Sequence, residues 1–168
     1  IGRLGDKIEA KQIARAAKVP VIPGIDHVTE ADQVRRWMRE ENVAFPVMLK
    51  AAGGGGGRGM VKVEHDAHLH MAIGQARSEA KKFFGSETVL AEKYVERGRH
   101  IEVQIIADAH GNVVHLYERE CTIQRRHQKI VEEAPSPTLD PQLRQEICET
   151  AVRLMREIGY ASAGTVEF

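Results

Sequence analysis

The sequence predicts an α+β fold whose antiparallel strands carry the working residues. Three observations predict it. Two apolar runs, Pro46 to Lys50 and Met60 to Glu64, flank the five consecutive glycines Gly53 to Gly57, which reads as strand, loop, strand. His100 to Ala107 alternates in polarity, and Val113 to Glu120 returns after the hairpin turn pair Gly111-Asn112. Helical patterns with their own caps stand between these strands.

The elements follow in order. Asp6 reads as the N-cap of a helix with Glu9 in capping-box position, running to about Lys18 before Pro20. Val21-Ile22 reads as a short strand closed by Pro23-Gly24. Thr29 to Asp32 is a second capping-box pattern, and its helix carries Val34, Trp37 and Met38 in a narrow apolar stripe. After the glycine hairpin, Asp66 is expected to cap a helix with Leu69, Ile73, Ala76, Ala80 and Phe83 on one face, ended by Gly85. Thr88 to Glu92 is another strand. Ile101, Val103 and Ile105 fall on one side of the next strand, and His100, Glu102 and Gln104 on the other. Asp140-Pro141 pairs an N-cap with proline at the first helical position. The helix that follows is expected to bury Leu143, Ile147, Ala151, Leu154 and Ile158, with Gly159 as its stop. Ala163 to Phe168 is a last strand, with Thr165 and Glu167 on one side.

Composition narrows the function classes. Apolar residues make up 42% of the 168 residues, and 24 basic residues balance 24 acidic ones. Zero net charge argues against general affinity for nucleic acid or an anionic membrane. No stretch approaches the ~20 apolar residues of a membrane span. Cys121 and Cys148 stand far apart without metal-ligand spacing, which suits a reducing compartment. The first residues are no signal peptide and include no initiator Met, and the last strand reads as cut in its middle, so the chain reads as an excised piece.

The chemistry gathers at the glycines. Each glycine loses much backbone entropy on folding, so five in a row need a reason beyond packing. Close approach of backbone N–H groups to an anion is that reason. Gly54-x-Gly56-x-x-Gly59-x-Val61 matches dinucleotide and kinase patterns, but five glycines satisfy such patterns easily. A dinucleotide loop opens a helix, and here the loop joins two strands. A P-loop needs Gly-Lys-Ser/Thr, where this chain has Arg58-Gly59-Met60. In a kinase the lysine follows the loop, whereas Lys50 precedes it. What remains is a hairpin that covers phosphates, with Lys50 as a phosphate ligand, or a flexible linker beside a surface lysine, although serine-free polyglycine flanked tightly by apolar strands is a poor linker. Lys7 reads as a solvated first-turn residue on the sequence alone. His100, Glu102 and Gln104 are either a solvated sheet face or a working one. Gln124-Arg-Arg-His127-Gln-Lys129 is either a solvated basic loop or a cluster for polyphosphate or a small anion. Glu167, among small and apolar residues, needs a partner: a nucleotide-bound magnesium ion, or a lysine or arginine.

Together these pieces resemble the ATP-grasp fold, and within it the biotin carboxylases. The motifs that carry the resemblance are Gly5-Asp-Lys7, the run from Pro46 through the glycines to Met60, Glu92-Lys-Tyr-Val95, Arg99-His-Ile-Glu-Val-Gln104, Glu118 to Pro135 and Gly164-Thr-Val-Glu-Phe168. The resemblance implies three segments: residues 1–20 as the end of a preceding segment with a linker helix, 21–94 as the lid subdomain, and 95–168 as part of the core subdomain. It implies that Lys7, Lys50, Gly54, Gly55, Gly56, Gly57, Gly59 and Met60 contact ATP. Glu92, Lys93, Tyr94 and Val95 would form the hinge that reads adenine. His100, Gln124 and His127 would line the ribose and phosphate side of the cleft. Glu102 and Lys129 would serve bicarbonate and phosphate chemistry, and Glu167 would bind magnesium or manganese. The implied enzyme spends MgATP and bicarbonate to carboxylate biotin on a carrier domain through carboxyphosphate. It would work with a carboxyltransferase as a homo-oligomer, in the cytoplasm or a mitochondrial matrix. The family's later metal glutamate, bicarbonate-binding arginine and catalytic base fall beyond Phe168, so an inactive nucleotide-binding module is one alternative. Another ATP-grasp ligase such as carbamoyl-phosphate synthetase is a second, disfavoured by the polyglycine loop followed by Gln124 to Lys129.

Overall fold

The computed structural model describes residues 6–54, 58–126 and 128–168. Gly55, Gly56, Gly57 and His127, all expected to contact nucleotide, lie outside the described residues. The chain divides into two compact units: the described residues through Gln12 with Pro20–Glu96, and Ile13–Val19 with Arg97–Phe168.

α1 (Lys7–Ala16), which belongs to the first unit through Gln12 and to the second from Ile13, starts where Asp6 Oδ1 accepts from the N–H groups of Ile8 and Glu9, at 2.8 and 3.1 Å. That satisfies two of the donors a helix start leaves open. The helix stops two residues before Lys18, which turns left-handed at φ 56° as Val19 N–H closes onto Ala14 O. The short strand expected at Val21-Ile22 lies instead at β1 (Gly24–Ile25). Pro20 and Pro23 have no N–H for a ladder. Pairing therefore begins at Gly24, opposite Glu92.

α2 (Ala31–Glu40) is capped one residue later than expected. Glu30 is the N-cap, and the Gln33 side chain accepts from the N–H groups of Thr29 and Glu30, at 2.8 and 2.9 Å. Asp32 is drawn off to Arg35, at 2.7 Å. Strands β2 (Val47–Ala51), β3 (Met60–Val63) and β4 (Val89–Lys93) join β1 in an antiparallel sheet ordered β1-β4-β2-β3.

Asp66 does not cap the next helix. It makes a two-point pair with Arg35, and a single 3-10 turn, Asp66–His68, leads into α3 (Leu69–Phe84). Phe83, expected in the core, is exposed. Phe84 packs there instead, continuing the stripe Ile73, Ala76, Ala80 at helical spacing. Val47, Leu49 and Ala51 of β2 and Val89 and Ala91 of β4 bury one face of the sheet under α2 and α3. The alternate residues point the other way, where Leu90 meets Ile8 of α1 and Ala52.

In the second unit, β5 (Ile101–Ala107) lies between β6 (Val113–Glu120) and β9 (Ser162–Glu167), antiparallel to both. A register shift between Val103 and Ile105 marks an irregularity against β6. A two-residue pair, β7 (Gln124–Arg125) and β8 (Gln128–Lys129), brings Gln124 opposite Lys129. α4 (Pro141–Glu157) is capped by Asp140, which accepts from Leu143 N–H at 2.8 Å. Its buried stripe is Cys148, Ala151, Val152 and Met155, packed on Val103, Ile105, Val113 and Val166. Ile147, Leu154 and Ile158 are partly buried against that core. Leu143, expected inside, stays exposed in the first turn, off that stripe. Cys121 and Cys148 are both buried and unpaired. Among the described residues, no helix is long and apolar enough to cross a membrane.

Candidate nucleotide and anion site

On the first unit, strand alternation turns Lys50 and Glu92 to the sheet face opposite the α2 and α3 layer. Lys50 is paired with Leu90 and Glu92 with Met48, so Lys50 and Glu92 are diagonal neighbours across the ladder. Lys50 Nζ donates to Glu92 Oε2 at 2.5 Å, and Lys11 Nζ of α1 donates to Oε1 at 2.7 Å. The Glu92 side chain is only 7% exposed. Burial pushes its carboxyl upward, but the Lys50 and Lys11 ammonium groups outweigh that and hold it below the usual carboxylate range. Lys7 Nζ donates to Ala51 O at 3.3 Å. Burial, and then repulsion from Lys50, push Lys7 below its ordinary value.

The glycine hairpin begins and ends tightly at this face. Gly54 N–H is spent on Ala51 O at 3.1 Å, and Ala51 N–H donates to Gly59 O at 2.8 Å. A side chain at Gly54 would meet Arg58 O at 2.9 Å. Met60 sits at the foot of the returning strand, paired with Lys50. At the expected hinge, the Glu92 carboxylate is engaged by the two lysines, and its backbone lies in the ladder between β1 and β2. Lys93 N–H donates to Pro23 O, Tyr94 N–H reaches Pro46 O, and Val95 is half exposed just past the paired strand. Lys62 Nζ lies 4.4 Å from the centre of the Tyr94 ring.

On the second unit, Glu102 is the centre of a charge network. It sits on the middle strand, opposite Arg119 on one side and Glu167 on the other. Arg119 donates to Oε1 through Nε at 2.8 Å and also through its terminal nitrogen, and Lys129 donates to Oε2. Lys129 reaches Glu167 Oε1 as well, at 2.9 Å. The two donors outweigh the burial that would raise Glu102 and hold it below its ordinary value. Burial acts to lower Lys129, but the two carboxylates win and raise it, so it is an ammonium ion throughout the neutral range. Arg119 extends to Gln104 Oε1 at 3.2 Å. His100 Nε2 lies 3.3 Å from Glu167 Oε1 without the alignment to donate to it.

Ligand atoms of His100, Glu102 and Glu167 lie within 4.8 Å of one another. Their chemistry divides them as metal ligands. Both Glu102 oxygens are taken by cations. Glu167, with its side chain 55% exposed, has only one oxygen engaged among the described residues, so a hard divalent ion fits there and not on Glu102. The small and apolar sequence neighbours of Glu167 therefore do not enclose it. β9 keeps alternate side chains outward, and its partner is Lys129.

Of the expected site residues, the structure brings together Lys7, Lys50 and Glu92 in one unit and His100, Glu102, Lys129 and Glu167 in the other. Gln124 stands opposite Lys129 in the β7–β8 pair, and its amide donates to Cys121 O at 2.9 Å. Sequence reasoning missed Lys11 and Arg119. Lys11 stands one helical turn after Lys7 and so shares its face, which is the signal that was there to read. Arg119 carried none, because only the β5–β6 register sets it opposite Glu102.

Comparison with known proteins bears on what this geometry serves. The model of the family described as carbamoyl-phosphate synthase L chain, ATP binding domain, matches residues 6–168. A pyruvate carboxylase of Staphylococcus aureus is 51% identical over 164 residues, 98% of this chain and 14% of that protein. Biotin carboxylase 2 of Bacillus subtilis is 48% identical over 168 residues, 100% of this chain and 38% of that protein. A Campylobacter jejuni biotin carboxylase, solved as a β-γ-ATP complex, superposes with a TM-score of 0.92 at 48% identity, over 98% of this chain and 36% of that one. The biotin carboxylase domain of Hydrogenobacter thermophilus 2-oxoglutarate carboxylase, solved with MgADP, ADP and bicarbonate, gives 0.92 at 43% identity, over 99% and 37%. The chain therefore spans well under half the length of these relatives.

Proposed function

Because the chain belongs to the carbamoyl-phosphate synthase L chain ATP-binding domain family, and its ATP-grasp fold is shared with biotin carboxylases, we propose that it is the ATP-binding segment of a biotin carboxylase. The observation that carries the reading is an excess of positive charge beside the glycine hairpin. Lys11 and Lys50 pair with the buried Glu92 carboxylate while Lys7 donates to Ala51 O, and burial and repulsion from Lys50 outweigh the attraction of Glu92 and Asp6 in lowering Lys7. The phosphates of ATP would relieve that repulsion.

In this reading Lys7 and Lys50 bind the phosphates, the hairpin from Gly53 to Gly59 closes over them, and Met60 flanks the nucleotide. The backbone from Glu92 to Val95 meets adenine. His100, Gln124 and His127 line the ribose and phosphate side. Glu167 would hold a magnesium or manganese ion, which would supply charge neutralisation on the phosphates. Glu102, fixed between Arg119 and Lys129, keeps the Lys129 ammonium aimed at the anions of the reaction, bicarbonate and the transferred phosphate. Closing the lid excludes water from a hydrolysable carboxyphosphate. The carboxyl group is then taken by biotin on a carrier domain, for onward use by a carboxyltransferase. The relatives named above, pyruvate and 2-oxoglutarate carboxylases among them, support this reading over a carbamoyl-phosphate synthetase.

The test is Lys50→Ala in the full-length protein, read as bicarbonate-dependent ATP hydrolysis and carboxylation of free biotin. The expected loss is about 100-fold or more, the scale for removing a charged transition-state contact, with the circular dichroism spectrum unchanged. Near-normal turnover would overturn the assignment.

A further inference from the structure

We propose that Lys11 is a positioning residue: it holds the buried Glu92 carboxylate in place when Lys50 leaves it for the phosphates of a nucleotide. The inference rests on the reading of Lys50 as a phosphate ligand and adds a residue that this reading does not contain.

The two lysines divide Glu92 between them. Lys50 Nζ takes Oε2 at 2.5 Å, and Lys11 Nζ takes Oε1 at 2.7 Å while also donating to Ile22 O at 3.0 Å. Lys11 is therefore anchored at two points, and its side chain is 12% exposed against 24% for Lys50. Glycine at position 24, directly opposite Glu92 in the ladder, leaves room here: a Cβ would meet Ala91 O at 2.6 Å first, and then Lys11 Nζ at 2.9 Å and Glu92 Cγ at 3.0 Å.

The energetic logic is one of stranding. A carboxylate this buried is costly when unpaired. With Lys50 as its only partner, every phosphate contact by Lys50 would leave Glu92 uncompensated, and the nucleotide would bind against that cost. With Lys11 in place, Lys50 is released from a carboxylate that stays paired, and its charge is available to the anion.

The test measures dissociation constants of a non-hydrolysable MgATP analogue and of adenosine for variants of the full-length protein. Lys11→Met is expected to weaken the analogue about tenfold or more, the scale for removing one partner of a desolvated charge pair. Adenosine, without phosphates, is expected to bind within about twofold of wild type, which also reports an intact fold. Lys11→Arg keeps the pairing charge and is expected to retain most of the affinity. Adding Glu92→Gln to Lys11→Met removes the stranded charge and is expected to recover affinity relative to Lys11→Met alone. Unchanged analogue binding in Lys11→Met, equal weakening of both probes, or no recovery in the double variant would each overturn the inference. Lys50→Met separates it from the reading beneath it. If Lys50→Met leaves analogue binding unchanged, the phosphate-ligand reading falls. If Lys50→Met weakens it and Lys11→Met does not, only the role of Lys11 falls.

Discussion

Glu102 offers two oxygens, and both are spoken for: Arg119 holds one and Lys129 the other. The carboxyl sits below its ordinary value of 4.5, so the network contributes stability that is fully present above that value. It is lost as pH falls through the depressed folded value. We expect a carbon-detected NMR titration to show Glu102 still ionised near pH 4.5, where an exposed glutamate is half protonated. A midpoint for Glu102 at or above 4.5 would contradict the network. This pairing was half legible. Alternation along His100 to Gln104 put Glu102 on a polar face, and the resemblance set Lys129 beside the same chemistry. Arg119 was not legible, because a register is a property of two strands and no local pattern encodes it.

Elements were legible in type and less so at their ends. Every long helix and strand lies where periodicity placed it. The shift of β1 comes from prolines without an N–H, and those at the starts of α2 and α3 from side chains competing for partners. Gln33 reaches the N–H groups of Thr29 and Glu30 because Asp32 is occupied by Arg35, and Asp66 gives up its cap to the same arginine. The return of the glycine hairpin belongs to this scale too. Gly59 has φ 68°, and a Cβ there would lie 2.9 Å from Ala51 Cβ and 3.1 Å from Phe84. We expect Gly59→Ala to destabilise the first unit by about 1–3 kcal/mol, combining the left-handed cost with the overlap. Thermal unfolding followed by Trp37 fluorescence measures it, and an unchanged midpoint would refute the packing argument.

In the second unit, Glu120 clamps the segment after β8 in a comparable way. Its oxygens accept from Ser136 Oγ at 2.6 Å and Thr138 Oγ1 at 2.7 Å, with Thr122 and Arg99 nearby. These bonds hold the carboxyl down to about 2. The clamp is therefore complete above the ordinary glutamate value and weakens as pH falls from 4.5 towards 2. The protection factor of Ser136 N–H against hydrogen exchange, a group that donates to Glu118, is expected to fall only in that interval. Loss of protection beginning near neutral pH would show that something else holds the segment.

At the scale of the whole molecule, each unit has its own apolar core, one under α2 and α3 and one under α4. The reporters are divided between them. The single tryptophan, Trp37, is buried in the first core. Both cysteines are buried in the second unit, and burial pushes their thiols upward, Cys148 to about 11. Thiols so protonated and enclosed are poor nucleophiles. The second unit thus has a chemical clock of its own. An aromatic disulfide reagent added to the 168-residue chain should find almost nothing to react with until that unit opens, then release two equivalents. Run beside Trp37 emission in a denaturant series, the clock would say whether the units come apart together or one after the other.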